Sequence, residues 1–123
     1  MIKWLEKKRI FAVVLAVLIA AEIFLFSSIP GFGLPEEGGL KISMIYHFSA
    51  FFLLNFFLLI SFNGNKGIKF KYLAAALILS FIYAVLDEIH QLFVPFRYAD
   101  FGDIMTNNMG IFSSTLIYLY YKK

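Results

Sequence analysis

Four predominantly apolar runs, each 19 to 22 residues long, constrain this chain more than any other feature. At about 1.5 Å of rise per residue, a helix of that length covers roughly 30 Å, which is the thickness of the hydrocarbon core of a bilayer. The runs cover residues 10–28, 42–62, 72–93 and 101–121. The sequence therefore predicts an all-α fold, namely an integral membrane four-helix bundle.

The connections between the runs carry residues that favour turns. Pro30 and Gly31 begin the first connection, Asn63 and Gly64 begin the second, and Pro95 lies in the third. A cleaved signal peptide at the N-terminus is disfavoured, because the first run is longer than a signal core and three similar runs follow it. We expect a single membrane domain that occupies the whole chain, residues 1–123.

The composition excludes several classes of protein. The chain is 61% hydrophobic and only 15% charged, and at 123 residues it is too small to bury so much apolar surface in water. The absence of cysteine excludes disulfides, thiolate nucleophiles and cysteine metal sites. The net charge of +3 comes from short basic clusters between the apolar runs, an arrangement typical of a membrane surface. We expect membrane lipids, and no nucleic acid, as partners.

The distribution of basic residues predicts the orientation in the membrane. Nine of the eleven lie before the first run, in the second connection or at the C-terminus: Lys3, Lys7, Lys8, Arg9, Lys66, Lys69, Lys71, Lys122 and Lys123. Only Lys41 and Arg97 lie in the other two connections. The positive-inside rule therefore predicts that both termini and the second connection are cytoplasmic.

In that orientation, most ionisable residues within the runs collect near their outer ends. They are Glu22 in the first run, His47 in the second, Asp87, Glu88 and His90 in the third, and Asp103 in the fourth. A charged group in hydrocarbon costs several kcal/mol, so such groups normally face a helix interface, a cavity or one another. The shared depth predicts one outward-facing polar cavity.

Helical spacing predicts which residues face it. On the third helix, Asp87, His90 and Gln91 fall within an arc of roughly 100°. On the fourth, polar and small residues recur every three or four positions: Asp103, Asn107, Gly110 and Ser114. This stripe predicts a close approach to a neighbouring helix. Asn55 lies deeper in the membrane, where we expect it to form hydrogen bonds between helices.

The run DEIHQLFVPFRYADFGDIMTNNMGI, together with His47-Phe48 and the FSSIPG ending of the first run, resembles the VanZ-like family of small membrane proteins. That family is named for a member linked to teicoplanin resistance. Matched one residue at a time, its recurrent positions correspond to His47, Asp87, Glu88, Gln91, Arg97, Asp103 and Asn107. The resemblance implies a multi-pass protein of the cell membrane, in the cell envelope, with a link to glycopeptide susceptibility.

Together these patterns predict a pocket that binds a polar or anionic group, either a lipid head group or a cell-wall precursor. The predicted ligand-binding residues are Glu22, His47, Asp87, Glu88, Gln91, Arg97, Asp103 and Asn107. Among them Arg97 is the anion contact, because a guanidinium binds phosphate or carboxylate in a bidentate manner. The alternative is that Arg97 forms an internal ion pair with Asp100 or Asp103.

Two alternatives stay open. The first is a small membrane enzyme that uses His47, Asp87, Glu88 or Asp103 in acid-base or metal chemistry on a lipid-linked substrate. Imidazole and carboxylate groups are suitable ligands for zinc or manganese. The same residues also suit a network of hydrogen bonds between helices that contains no metal. The second is a transporter subunit, which is disfavoured because the inner halves of the helices offer no polar path. Neither a cofactor nor an oligomeric state follows from the sequence.

Overall fold

The computed structural model describes residues 1–31 and 42–123, and the described residues form helices and turns without a β-strand. The five α-helices are α1 (Ile2–Lys7), α2 (Arg9–Ser27), α3 (Ile42–Asn63), α4 (Phe70–Gln91) and α5 (Phe101–Lys122), with a short 3₁₀ turn at Gly64–Lys66 after α3. The predicted all-α fold is confirmed, and each predicted run matches one of α2 to α5 to within two residues at either end. Lys41 and most of the first connection lie outside the described residues.

Helix α1 is an element that the apolar pattern did not predict. It ends at Lys7, and the backbone of Lys8 (φ −105°, ψ 62°) is not helical and separates α1 from α2. The N-terminus of α5 has a side-chain cap. The carboxylate of Asp100 accepts a hydrogen bond of 2.8 Å from the backbone N–H of Gly102.

Three helices among the described residues are long and apolar enough to cross a membrane: Arg9–Ser27, Phe70–Gln91, and α3 with its 3₁₀ extension, Ile42–Lys66. Helix α5 is as long as α3 and α4, at 22 residues, but it is more polar. Its polarity comes largely from buried groups that face other helices, such as Asn107, Ser114 and Thr115.

Helix α3 lies at the centre and packs against α5, α2 and α4, most extensively against α5. The contact between α3 and α5, which we call the tight seam, depends on Gly110. A Cβ atom at this position would lie 2.4 Å from the carbonyl oxygen of Phe48 and 3.0 Å from the backbone nitrogen of Phe52. Only glycine permits so close an approach of the two backbones, and the predicted role of this stripe is confirmed.

Asn55 joins α3 to two other helices in the buried part of the same seam. Its Nδ2 donates to the backbone oxygen of Ile111 (3.0 Å), to Ser114 Oγ (2.7 Å) and to Thr115 Oγ1 (2.9 Å). Its Oδ1 accepts from Ser80 Oγ of α4 at 3.0 Å. The predicted interhelical role of Asn55 is therefore confirmed.

One end of the molecule, which we call the basic end, gathers both termini and the turn after α3. The guanidinium of Arg9 donates to the carbonyl oxygen of Ser61 at 2.8 and 2.7 Å, near the C-terminus of α3. Lys122 donates to the carbonyl oxygen of Gly64 at 3.1 Å and lies 2.6 Å from a carboxylate oxygen of Glu6. These contacts fix the start of α2 and the end of α5 beside the same turn.

Candidate functional site

At the opposite end, which we call the polar end, buried polar residues from α3, α4 and α5 meet. His47, Asp87, Glu88 and Asn107 form this polar-end cluster, and none of them is more than 6% exposed. One ring nitrogen of His47 and one carboxylate oxygen each of Asp87 and Glu88 lie within 4.8 Å of one another. The sequence placed these residues at one depth, and the fold brings them together.

The imidazole of His47 is held between two residues of α5. Its Nδ1 lies 2.9 Å from Asn107 Oδ1, and its Nε2 lies 3.8 Å from Asp103 Oδ2. Because an amide oxygen can only accept, Nδ1 is the donor in the first contact. In the neutral ring this tautomer leaves the lone pair on Nε2.

The carboxylate of Asp87 is oriented by two neighbours. Oδ1 accepts a hydrogen bond from the hydroxyl of Ser27, and Oδ2 accepts one of 3.1 Å from Gln91 Nε2. Sequence reasoning did not assign Ser27 to the site. Its position at the end of α2, at the depth of the other polar residues, is the signal that could have identified it.

Two polar atoms of the cluster make no hydrogen bond to any described residue. Glu88 accepts from the backbone N–H of Asp100 through Oε2 at 3.2 Å, while Oε1 is buried without a partner. The amide nitrogen Nδ2 of Asn107 is likewise buried without an acceptor. Buried polar groups are usually paired, so these two atoms are exceptions whose hydrogen-bonding capacity is unused among the described residues.

Two residues that the sequence grouped with this site lie apart from the cluster. His90 contacts α2 instead: Nε2 lies 2.9 Å from Ser28 Oγ, and the ring stacks on Phe24 with 4.8 Å between centroids. Glu22 is exposed on α2. Asp87 and Gln91 thus share the predicted face of α4, whereas His90 turns toward α2.

Arg97 lies half-buried in the connection between α4 and α5. Its backbone N–H donates to the carbonyl oxygen of Val94 at 3.2 Å, which closes a turn in which Phe96 adopts a positive φ of 60°. The charge of Arg97 acts on the carboxylates of Asp87 and Glu88. Arg97 is therefore a basic residue whose positive charge acts on the polar-end cluster.

Two cavities adjoin each other beside the cluster, along the contact between α2 and α4 that we call the open seam. The first, of about 240 Å³, is lined by Phe24, Tyr83, Leu86, Asp87 and His90. The second, of about 220 Å³, has an apolar lining of Ala16, Val17, Ala20, Leu54, Leu58, Leu79 and Tyr83. Tyr83 borders both and donates a hydrogen bond of 2.5 Å to the carbonyl oxygen of Ala20.

The family of the chain follows from a comparison with protein-family models. The model described as VanZ/LLP1 matches residues 10–122. The chain belongs to the VanZ/LLP1 family. The match contains α2 from Ile10 onward, α3 to α5 and every residue of the polar-end cluster, whereas α1 lies before it. Neither a curated protein nor a solved structure matches the chain.

Proposed function

We propose that this VanZ/LLP1 protein crosses the cell membrane several times with its polar end facing out of the cell. The contacts of Arg9 and Lys122 with the turn after α3 support this topology, because they gather both termini at the basic end. That end carries nine of the eleven basic residues of the sequence, and such residues are retained in the cytoplasm.

In this topology α5 is the fourth crossing of the bundle. The large side chains that α5 exposes are apolar or aromatic: Phe101, Met105, Met109, Phe112, Leu116, Ile117, Tyr120 and Tyr121. Its buried polar groups form hydrogen bonds with α3, as Ser114 and Thr115 do with Asn55. Lipid would therefore meet an apolar surface, although the composition of α5 as a whole is polar.

Single cysteines in this cysteine-free chain test the topology. Lys66→Cys places a thiol at the basic end and Tyr98→Cys places one in the connection between α4 and α5, and both native side chains are exposed. An impermeant thiol reagent applied to intact cells should label Tyr98→Cys, and Lys66→Cys only after permeabilisation. The reverse pattern would overturn the proposed orientation.

The ligand that we propose is a lipid or a lipid-linked cell-wall precursor, with its polar or anionic head group at the polar-end cluster. The observation that carries this proposal is the pair of adjoining cavities at the open seam. One is apolar, and the other, although lined mostly by apolar groups, borders Asp87 and His90; Tyr83 lines both. A molecule with an apolar chain and a polar head matches both environments at once.

Two groups of the polar end are the proposed contacts of such a head group. Asn107 Nδ2 is a buried donor without an acceptor among the described residues, and an oxygen of the head group would satisfy it. Arg97 provides a permanent positive charge near Asp87 and Glu88, which would otherwise repel an anion.

A matched pair of substitutions on α2 tests lipid binding. Ala20 lines the apolar cavity, whereas Ala21 is exposed on the same helix. Native mass spectrometry of the detergent-purified protein with added phosphatidylglycerol should show about tenfold less bound lipid for Ala20→Phe, equivalent to about 1.4 kcal/mol. Ala21→Phe should bind as the original protein does. Equal binding by both variants would remove the cavity from the proposal.

The same pair tests the envelope role that the family resemblance implies. Expression in a susceptible bacterium should reduce susceptibility to teicoplanin, and Ala20→Phe should abolish this effect while Ala21→Phe retains it. A full effect from an Ala20→Phe protein that no longer binds lipid would separate the phenotype from the cavity.

A second candidate function is catalysis on a lipid-linked substrate. It is favoured by the approach of the His47 imidazole to two buried carboxylates, a combination that can transfer protons. An enzyme would release product from such a substrate, and Asp87→Asn should lower turnover by about 10² to 10⁴-fold while the protein stays folded and binds lipid. A binding protein would yield no product in the same assay.

A further inference from the structure

Three ligand atoms of the polar-end cluster lie nearly as close together as the ligands of one metal ion. One nitrogen of His47 and one oxygen each of Asp87 and Glu88 lie within 4.8 Å of one another. Bonds from Zn²⁺ to such ligands are about 2.0–2.2 Å, so two ligands of one ion lie at most about 4.4 Å apart. Small rotations of buried side chains would bring all three atoms within that limit.

The hydrogen bond of His47 to Asn107 determines which nitrogen of the neutral imidazole can bind a metal. Asn107 Oδ1 accepts from Nδ1 at 2.9 Å, and in the neutral ring this leaves the Nε2 lone pair available. A histidine that binds a metal usually donates its other N–H to an oxygen in this way. Nε2 lies 3.8 Å from Asp103 Oδ2, which is too long for a hydrogen bond, so Asp103 does not occupy this lone pair.

The carboxyl groups of Asp87 and Glu88 are buried at the same place. Glu88 is 2% exposed, and its Oε1 has no hydrogen-bond partner among the described residues, so a buried carboxyl oxygen is left to be satisfied. Asp87 is held by Ser27 and Gln91, which orient it as outer-shell donors orient a metal-binding carboxylate. A divalent cation would balance the two negative charges of Asp87 and Glu88, which are costly to bury together.

We infer that His47, Asp87 and Glu88 bind one divalent transition-metal ion, with Asn107 as a positioning residue and Asp103 beside the ion. An imidazole with two carboxylates is a donor set that suits Zn²⁺ or Mn²⁺. The inference does not depend on lipid binding. Ala20→Phe should leave metal affinity unchanged whether or not it removes lipid.

The direct test uses the full chain in detergent micelles, treated with EDTA and then dialysed. Calorimetric titration with ZnCl₂ and with MnCl₂, together with elemental analysis of the loaded protein, should give about one ion per chain for at least one of the two metals. If the folded protein retains neither ion, the inference is overturned, and this outcome requires no variant.

Substitutions locate the ion. Glu88→Gln and His47→Gln should each weaken binding by about 100-fold or more, whereas Glu22→Gln, which makes the same change at an exposed carboxylate outside the cluster, should retain full affinity. Circular dichroism would establish that each variant is folded. Unchanged affinity in folded Glu88→Gln and His47→Gln proteins would place the ion elsewhere and overturn the site.

Cobalt provides a readout of Asn107 that stability alone does not affect. Co²⁺ bound at the site should show visible absorption bands that His47→Gln removes. Asn107→Leu should shift these bands and weaken binding by about 10 to 100-fold, whereas Asn107→Asp, which retains an oxygen acceptor for Nδ1, should restore them. Identical spectra for the original protein and Asn107→Leu would show that Asn107 does not position the imidazole.

Discussion

At the tight seam, α5 approaches α3 so closely that a single added carbon at Gly110 would meet the backbone of Phe48 at 2.4 Å. At the open seam, α2 faces α4 across cavities of about 220 and 240 Å³, and a hydrogen bond from Tyr83 to Ala20 joins the two helices. The comparison separates two tasks. The tight seam fixes His47 and Asn107 relative to each other, whereas the open seam leaves a cavity beside Asp87.

The largest loss of stability is expected from a substitution that disrupts the tight seam. Gly110→Ala should lower the free energy of unfolding in detergent by about 2–3 kcal/mol, because the added methyl group meets backbone atoms that cannot move aside. Reversible unfolding by a denaturing detergent would measure it. Met109→Ala, an exposed change on the same helix, should stay within about 0.5 kcal/mol. Equal stability of Gly110→Ala and the original protein would refute the close approach.

The next effect concerns the hydrogen bonds of the tight seam. Asn55→Ala should lower the free energy of unfolding by about 1–2 kcal/mol, because it leaves Ser80, Ser114 and Thr115 without their shared amide. The same unfolding titration applies, with Ser49→Ala, at an exposed position of α3, as the control. If combining Asn55→Ala with Ser80→Ala gave strictly additive losses, the two residues would not be energetically coupled.

The smallest effect is expected at the open seam. Tyr83→Phe removes the hydrogen bond to Ala20 and should cost only about 0.6 kcal/mol, the average for a hydrogen bond between membrane helices. Tyr120→Phe, at an exposed position, should cost nothing measurable. A loss from Tyr83→Phe as large as that from Gly110→Ala would erase the difference between the two seams.

Much of the fold could be predicted because length and apolar content identify membrane helices in a sequence. The limits of α2 to α5 follow the predicted runs closely, and the close approach at Gly110 follows from the spacing of small residues on α5. Helix α1 could not be predicted in this way. It has only six residues and lies before the first apolar run.

The candidate site was predictable in depth but not in rotation. His47, Asp87, Glu88 and Asn107 were expected at one level and do meet there. Helical spacing predicted that His90 shares a face with Asp87 and Gln91, yet in the fold His90 contacts Ser28 and Phe24 on α2. The binding roles assigned to all these residues stay predictions.

The sequence by itself determined how many long helices form, where each begins and ends, and which polar residues share a depth. A rise of about 1.5 Å per residue converts position along the chain into depth, whatever the neighbours are. Only the tertiary structure decided how each helix is rotated about its axis, and this rotation sets which side chains meet. It is fixed by packing between distant segments, such as Gly110 against Phe48 and Ser27 against Asp87. Local periodicity contains no information about such contacts, and for that reason Ser27 joined the site while Glu22 stayed on the surface.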